Sequence, residues 1–277
     1  MDEFIKVIIL GIVEGITEFL PISSTGHLLI SSALLDFQHG MGGTFVIFIQ
    51  IGAIVAVVAF YRQDLLVQAR DIRTESGVQR LWLAIIIAAV PVAVAGLLLR
   101  EAIKDNLLEQ GNESFRLVVI ATMLIIGGIV FIFLERYSDK EDSSDPNQLY
   151  DITLKQAFLI GVAQTLALVP GVSRSGAAII GGMMTGLNRQ TATVFSFYLA
   201  IPVLGGATVL DLLLSIDEID TTGLFYLLAG AFVSGIVAWI AIGWLLRYVA
   251  HHDFVLFGYY RIVAGGVILL LVALNIL

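Results

Sequence analysis

Two carboxylates stand close together in an apolar stretch near the beginning of the chain. Glu14 and Glu18 are four residues apart, which places both side chains on one face of a helix. Two neighbouring carboxylates repel each other, so a cation must neutralise them or one of them must hold a proton. A pair that only extends to a membrane surface is the simpler alternative, but apolar residues follow each glutamate. The spacing therefore predicts a buried pair that shares a cation or a proton, and Glu14 and Glu18 are the candidate ligands of a divalent metal ion.

A run of hydroxyl residues follows and opens the next apolar stretch, reading Ser23-Ser24-Thr25-Gly26-His27. Free N–H groups at the start of a helix suit an anionic phosphate oxygen, and Gly26 permits close approach of the ligand. His27 lies three residues after Ser24 and four after Ser23, so its ring can reach either hydroxyl and act as a base. The alternative makes the serines ordinary helix caps and His27 a satisfied interior residue. We predict that Ser24 and His27 are catalytic and that the other three residues of the run bind substrate.

A second polar cluster, Ser173-Arg174-Ser175-Gly176, interrupts another apolar stretch. An arginine in such surroundings needs a partner, and its planar fork suits bidentate binding of phosphate oxygens. An internal ion pair with one of the two glutamates is the structural alternative, and both can hold because an empty site needs a counter-ion. The two serines either donate hydrogen bonds to a phosphate or cap a helix. We predict that Arg174 is catalytic and that it binds substrate together with its three neighbours in the cluster.

These clusters lie in a chain of 277 residues that is 58% hydrophobic and only 14% charged. Globular proteins average about 25% charged residues, so the composition predicts an all-α integral membrane protein, with residues 1–277 in a single membrane domain. The formal charge of −8, without a dense basic cluster, argues against nucleic acid as a partner. The absence of cysteine excludes a thiolate nucleophile and cysteine metal ligands.

Six blocks of the sequence are long and apolar enough to cross a bilayer, at about 20 residues each. They cover approximately residues 43–61, 82–100, 116–134, 190–211, 224–247 and 256–277. Two further blocks, about 4–35 and 154–184, are each broken by one polar cluster. Each half has roughly 15 residues, or ~22 Å of helix, which is too short for a ~30 Å bilayer core. We therefore predict two re-entrant helix hairpins, because irregular backbone at that depth is tolerated only beside protein or a water-filled cavity.

The two broken blocks match each other at a constant offset of 150 residues. The matching pairs are Gly11 and Gly161, Ser23 and Ser173, Thr25 and Ser175, Gly26 and Gly176, and Phe45 and Phe195. Gln164 and Leu168 stand where the first copy has its two glutamates, which indicates that the copies have diverged in role. Each copy holds three spans, an odd number, so the pattern predicts an inverted-topology repeat. The repeats cover about residues 1–137 and 150–277, joined by a polar linker at 138–149.

Loop charges predict the orientation in the membrane. One side carries Arg62, Arg70, Arg73, Arg80, Arg136, Lys140, Lys155, Arg189 and Arg247. The other side carries Lys6, Arg100, Lys104 and Arg116. The richer side is expected to be cytoplasmic, so the first hairpin would enter from the outside and the site would open to the outer side.

Other polar and small residues receive simpler interpretations. Tyr259, Tyr260 and Arg261 are predicted to be interfacial anchors at the start of the last span. Pairs of glycines are predicted to allow close helix packing. These pairs are Gly127-Gly128, Gly181-Gly182, Gly205-Gly206 and Gly265-Gly266.

The two motifs resemble those of the undecaprenyl-diphosphate phosphatase family, the bacitracin-resistance type of membrane phosphatase. The resembling segments are 14–27, EGITEFLPISSTGH, and 170–176, PGVSRSG, and the likeness covers essentially the whole chain. The resemblance implies a bacterial-type plasma-membrane enzyme that hydrolyses undecaprenyl diphosphate to undecaprenyl phosphate and inorganic phosphate. It also implies activity supported by Mg²⁺ or Ca²⁺. The residues for which it implies functional roles are Glu14, Glu18, Ser24, His27 and Arg174.

The residue types themselves offer a nucleophile, a base, a phosphate clamp and metal-binding carboxylates, which together suit phosphoryl transfer. In the favoured scheme Ser24 attacks phosphorus and His27 or Glu18 accepts its proton. Direct attack by His27, and a water activated without a covalent intermediate, remain open. A transporter or flippase of a phosphorylated polyprenyl lipid is the alternative function, because inverted repeats commonly support alternating access. The expected partners are a lipid diphosphate and the bilayer, and a homodimer is an option.

Overall fold

The computed structural model describes residues 2–37, 42–103, 113–137, 146–215 and 221–276. Within these ranges the chain forms eleven α-helices and no β-strand. In chain order the helices are α1 Glu3–Thr17, α2 Ser24–Leu34, α3 Gly42–Phe60, α4 Arg62–Asp71, α5 Ser76–Ile103, α6 Glu113–Tyr137, α7 Leu154–Thr165, α8 Arg174–Met184, α9 Arg189–Ser215, α10 Thr221–Val249 and α11 Val255–Ala273. Short 3₁₀ turns cover Pro146–Leu149 and Leu166–Leu168. Most of the predicted linker, residues 138–145, lies outside the described residues, as do Lys104 and Lys140.

Several of the helices are long and apolar enough to cross a membrane. The five such segments among the described residues are Ser76–Leu99, Ser114–Tyr137, Arg189–Leu213, Gly223–Val249 and Val255–Ala273. A sixth candidate is the pair Phe48–Phe60 and Arg62–Asp71, which is bent by 67°. The chain is therefore a multi-pass membrane protein, and five of the predicted spans are confirmed. The predicted span 43–61 corresponds to α3, whose residues from Phe48 onward form the first arm of this bent pair.

Two pairs of short helices carry the polar clusters. Helices α1 and α2 have 15 and 11 residues, and α7 and α8 have 12 and 11. We call residues 18–23 the first break and residues 166–173 the second break. Pro21 lacks a backbone N–H in the first break, and Gly171 has a φ of +93° in the second, so neither helix can continue. Both clusters therefore lie at helix N-termini.

The short helices pack tightly against long ones, with α1 against α10 and α7 against α5. A Cβ atom added at Gly11 would lie 2.8 Å from the Gly230 carbonyl oxygen, and one at Gly161 would overlap the Ala88 carbonyl oxygen. Phe19 of the first break is fully buried and packs edge-to-face on Phe197 of α9, with ring centroids 5.3 Å apart. The breaks are thus held inside the helix bundle.

The glycine pairs differ in what they contact. Close packing is confirmed at Gly128, where an added Cβ would lie 2.5 Å from the Gly258 carbonyl oxygen of α11. The same prediction is wrong at Gly205 and Gly206, because no heavy atom of the described residues lies within 4 Å of their Cβ positions. Small residues therefore mark a helix contact only where another helix faces them.

A buried ion pair connects α6, α9 and α11 away from the breaks. Arg189 Nη2 lies 2.6 Å from Glu135 Oε2, and the Phe254 N–H donates to Glu135 Oε1 at 3.0 Å. The side chains of Arg189 and Glu135 are only 15% and 2% exposed. Arg189 is therefore a packing residue rather than the free loop charge that the sequence indicated.

Candidate active site

Glu18 connects the two helices of the first pair. It is the C-cap of α1, and its backbone N–H bonds the Glu14 carbonyl at 2.9 Å. Ser24, the first residue of α2, donates its hydroxyl to Glu18 Oε2 at 2.6 Å, and both residues are buried. A short hydrogen bond from a hydroxyl to a carboxylate is the arrangement of a nucleophile and its base.

Arg174 approaches the same carboxylate from the second break. Its Nη2 lies 3.3 Å from Glu18 Oε1, and its Nη1 donates to the Ser196 carbonyl at 2.9 Å. The guanidinium carbon lies 5.6 Å from the centroid of the Phe19 ring. One carboxylate therefore contacts a hydroxyl with one oxygen and a guanidinium with the other. The predicted meeting of Glu18 and Arg174 across the two breaks is present.

Glu14 lies one helical turn before Glu18 and is completely buried. Its two carboxylate oxygens have no hydrogen-bond donor among the described residues. A buried carboxylate without a donor requires a proton or a cation, because charge isolated from water is strongly disfavoured. The described residues contain no group of three or more His, Cys, Asp and Glu side chains placed to hold a metal. Two carboxylates do suit Mg²⁺, which is commonly bound by one or two carboxylates together with substrate phosphates and water.

His27 makes contacts that the sequence did not indicate. Its Nδ1 lies 2.7 Å from the Ser23 carbonyl oxygen, and its Nε2 lies 2.7 Å from the Tyr260 hydroxyl. The two rings are stacked, with centroids 5.6 Å apart. A carbonyl oxygen only accepts, so Nδ1 carries the hydrogen, and Nε2 of the neutral ring accepts from Tyr260. The prediction that the ring reaches a serine hydroxyl is therefore wrong in this structure.

The hydroxyls of the second cluster bind protein atoms. Ser173 Oγ accepts from the Gly176 N–H at 3.1 Å and lies 3.0 Å from Ser175 Oγ. Ser175 Oγ donates to the Leu20 carbonyl of the first break at 3.0 Å. Of the two interpretations offered for Ser173, the helix cap is the one present, and Ser175 connects the two breaks.

Thr25, Gly26 and Gly176, the remaining residues predicted to bind substrate, lie at the first turns of α2 and α8. Thr25 is exposed on the first turn of α2. An added Cβ at Gly26 would lie 3.0 Å from Ile120 Cγ2, and one at Gly176 would lie 3.2 Å from Arg261 Nη1. Both glycines therefore make room for neighbouring protein groups.

Arg261 is the largest error in the sequence interpretation. It is only 2% exposed, so it is not an interfacial anchor. Its guanidinium donates to the Pro21 carbonyl at 3.1 Å and to the Gly171 carbonyl at 3.4 Å, one in each break. The signal was available, because Arg261 lies inside an apolar segment, as Arg174 does, and such an arginine needs buried partners.

Comparison with known proteins places these residues in a family. The family model described as bacitracin resistance protein BacA matches residues 7–267. The chain belongs to the BacA family. The matched range contains both breaks and Arg261, so every residue of the site lies within the BacA match.

Relatives of known name are similar along nearly the whole BacA-family chain. The protein named undecaprenyl-diphosphatase of Albidiferax ferrireducens is 47% identical over 273 residues, covering 96% of this chain and 94% of the relative. Those of Deinococcus radiodurans and Methylobacillus flagellatus are 44% and 46% identical, covering 98% and 96% of this chain and 96% of each relative. The family recognised from the two motifs is thereby confirmed.

Proposed function

We propose that this BacA-family chain is an undecaprenyl-diphosphate phosphatase. It hydrolyses undecaprenyl diphosphate to undecaprenyl phosphate and inorganic phosphate, which recycles the carrier lipid for cell-wall synthesis. The observation that carries the proposal is the Glu18 carboxylate, which contacts the Ser24 hydroxyl and the Arg174 guanidinium at once. The names of the relatives support the same activity.

In the first step Ser24 Oγ attacks the terminal phosphorus of the diphosphate. Glu18 Oε2, already 2.6 Å from Oγ, accepts the hydroxyl proton as the new O–P bond forms. The bond between the terminal phosphorus and the bridging oxygen breaks, and the lipid monophosphate leaves with that oxygen. Both ring nitrogens of His27 have other partners, which favours Glu18 over His27 as the base.

In the second step water hydrolyses the phosphoserine. The water oxygen bonds to phosphorus as the O–P bond to Ser24 breaks, Glu18 returns the proton taken in the first step to the serine oxygen, and inorganic phosphate leaves with the protons of the water. Arg174 stabilises the phosphoryl oxygens in both steps, since a guanidinium fork matches their geometry. The first-turn N–H groups of α2 are available for the same purpose, because the Ser23 side chain does not cap them.

Glu14 and Glu18 would hold Mg²⁺ or Ca²⁺ in this scheme. The bound cation would neutralise negative charge on the diphosphate and polarise its phosphoryl oxygens. The buried, unpartnered carboxylate of Glu14 supports this assignment. The cation would also remove the repulsion between the two glutamates.

The architecture that we propose is an inverted-topology repeat with two re-entrant hairpins. The packing supports it, because each contact of one repeat has a counterpart in the other. Helix α1 of the first repeat packs on α10 of the second, and the matching helix α7 of the second repeat packs on α5 of the first. Helices α3 and α9, and likewise α6 and α11, pack on their counterparts. The repeats remain those of residues 1–137 and 150–277, in a bacterial plasma membrane with the site open to the outer side. A homodimer stays part of the proposal.

Phosphate release in detergent tests the function. Purified protein is given undecaprenyl diphosphate or a short prenyl diphosphate, with and without a chelator, and inorganic phosphate is measured. We expect release that depends on the cation. Because no transport is possible in detergent, absence of release under all these conditions would favour the flippase alternative.

A further inference from the structure

Arg261 binds backbone atoms on three segments of the chain at once. Besides the Pro21 and Gly171 carbonyls, it donates from Nε to the Leu124 carbonyl at 3.3 Å and from Nη2 to the Met123 carbonyl at 3.2 Å. Arginine has five N–H donors in a rigid plane, and four of them are used here. Arg174, the arginine of the second cluster, contacts a carboxylate instead.

The two break carbonyls lie next to the groups that do the chemistry. Pro21 is three residues after Glu18 and three before Ser24, and Gly171 is three residues before Arg174. One guanidinium therefore holds the segment that carries the base and nucleophile against the segment that carries the phosphate-binding arginine. The contact between Ser175 and the first break adds a second, weaker connection.

The surrounding backbone leaves room for this guanidinium. An added Cβ at Gly127 would overlap Arg261 Nη2 and lie 2.6 Å from Cζ. At Gly176 it would lie 3.2 Å from Nη1. Gly127 therefore accommodates a side chain, whereas its neighbour Gly128 packs against the Gly258 carbonyl. Two adjacent glycines thus offer a matched pair for experiment.

We infer that Arg261 is a positioning residue, which fixes the separation between Glu18 and Arg174 by binding the carbonyls of both breaks. The inference rests on the proposed phosphatase function for its kinetic consequence. Lysine cannot substitute, because its three donors diverge from one nitrogen and cannot reach four carbonyls in a plane. Loss of Arg261 lets the breaks separate, and a displacement of about 1 Å in a catalytic group lowers turnover by about 100-fold.

The first experiment needs no substrate and uses the absence of cysteine from the chain. Ile22, 5% exposed beside Pro21, is replaced by cysteine as a single reporter, and its labelling rate by a small water-soluble thiol reagent is measured in detergent. We expect Arg261→Gln to raise the rate about tenfold, which corresponds to losing one or two hydrogen bonds of the closed break. Arg247→Gln, an exposed arginine that bonds its own helix, is the control and should leave the rate unchanged. An unaltered rate in Arg261→Gln would overturn the inference, whatever the enzyme does.

The second experiment is a double-mutant cycle on phosphate release, scored as kcat per folded molecule. We expect Arg261→Lys and Arg261→Gln to lower kcat by about 100-fold. Gly127→Ala should lower kcat in the parent but have little further effect in Arg261→Ala, because the guanidinium it displaces is gone. Gly128→Ala should act equally in both backgrounds. Two outcomes would show that Arg261 contributes only to general stability. In the first, Gly127→Ala lowers kcat by the same factor in the parent and in Arg261→Ala. In the second, total activity falls only because less protein is folded, and kcat per folded molecule does not change.

Discussion

The first and second breaks occupy equivalent places in the two copies but differ in backbone strain and in the use of their serines. Ser23 has a φ of +72° without being glycine, and its side chain does not cap α2. Ser173 has an ordinary φ of −64° and caps α8, while the positive φ falls on Gly171. A strained non-glycine residue costs about 1–3 kcal/mol and is characteristic of functional sites. The second break is therefore the relaxed segment, and the first contains the strained residue, as the proposed catalytic role of the first break would require.

In the first break the strained backbone at Ser23 is accompanied by two contacts that the second break lacks. The Ser23 carbonyl turns toward His27 Nδ1, and the next hydroxyl, on Ser24, is free to bond Glu18. In the second copy Arg174 occupies the position that matches Ser24, and the hydroxyls of Ser173 and Ser175 bind the Gly176 N–H and the Leu20 carbonyl. The first copy of the motif thus has a hydroxyl that contacts a carboxylate, and the second copy uses its hydroxyls to bind the backbone.

The largest effect is expected from removing the Ser24 hydroxyl, which contacts Glu18. We expect Ser24→Ala to lower phosphate release by at least about 1,000-fold, because the nucleophile is lost. Ser32→Ala, on the same helix but away from the breaks, should leave release intact. Phosphate release and capture of a phosphorylated serine in the parent would be measured. Full activity in Ser24→Ala would assign the attack to water or to His27.

Arg174→Lys tests the contribution of the second break. Lysine keeps the charge but loses the fork, so we expect kcat to fall by about 100- to 1,000-fold. Arg189→Lys is a matched control, since it alters another buried arginine–glutamate pair that lies away from the breaks. That variant should lower the melting temperature without a comparable loss of kcat. Near-normal turnover in Arg174→Lys would make the arginine a counter-ion only.

Glu14→Gln gives the first repeat the residue of the second, because Gln164 occupies the matching position. We expect the cation concentration needed for half-maximal activity to rise about tenfold or more, as a ligand is lost. Gln164 is also completely buried, with no partner for its amide atoms among the described residues. Gln164→Leu should therefore leave the cation dependence unchanged. Equal cation dependence in Glu14→Gln and the parent would exclude Glu14 as a ligand.

The smallest expected effects are changes in stability at Ser23 and Gly171, the two break residues with positive φ. Ser23→Gly should raise stability by up to about 1 kcal/mol, because glycine adopts positive φ freely, although it orders more chain on folding. Gly171→Ala should destabilise, since the new Cβ would lie 2.6 Å from the Ile120 carbonyl oxygen. Melting in detergent measures both. A stabilised Gly171→Ala, or a destabilised Ser23→Gly that retains the His27 contact, would contradict the assignment of strain.

Local sequence features predicted much of this structure. Five spans followed from hydrophobic length, and both breaks followed from the polar clusters that interrupt the apolar blocks 4–35 and 154–184. The meeting of Glu18 and Arg174 followed from placing two buried, opposite charges in matching motifs.

Contacts that depend on helix packing could not be predicted. Tyr260 and His27 are 233 positions apart, and nothing in either residue's neighbourhood specifies the other. The carbonyl partners of Arg261 could not be predicted from the sequence either. Every residue carries a carbonyl, and only the fold determines which ones face the guanidinium. The sharp bend between α3 and α4 is another such property.

The choice of main-chain acceptors by Arg261 has a genetic consequence. An oxygen of the peptide unit survives every amino-acid replacement, so variation at positions 123, 124, 21 or 171 cannot delete an acceptor, although it can shift the path of the chain. The four hydrogen bonds of Arg261 therefore depend on one side chain and on the small residues that leave space for it, and of the two breaks' connections they are the ones that a single replacement removes together. A saturation library should accordingly accept many residues at the half-buried Met123, mainly apolar ones at the buried Leu124, and almost none at Arg261.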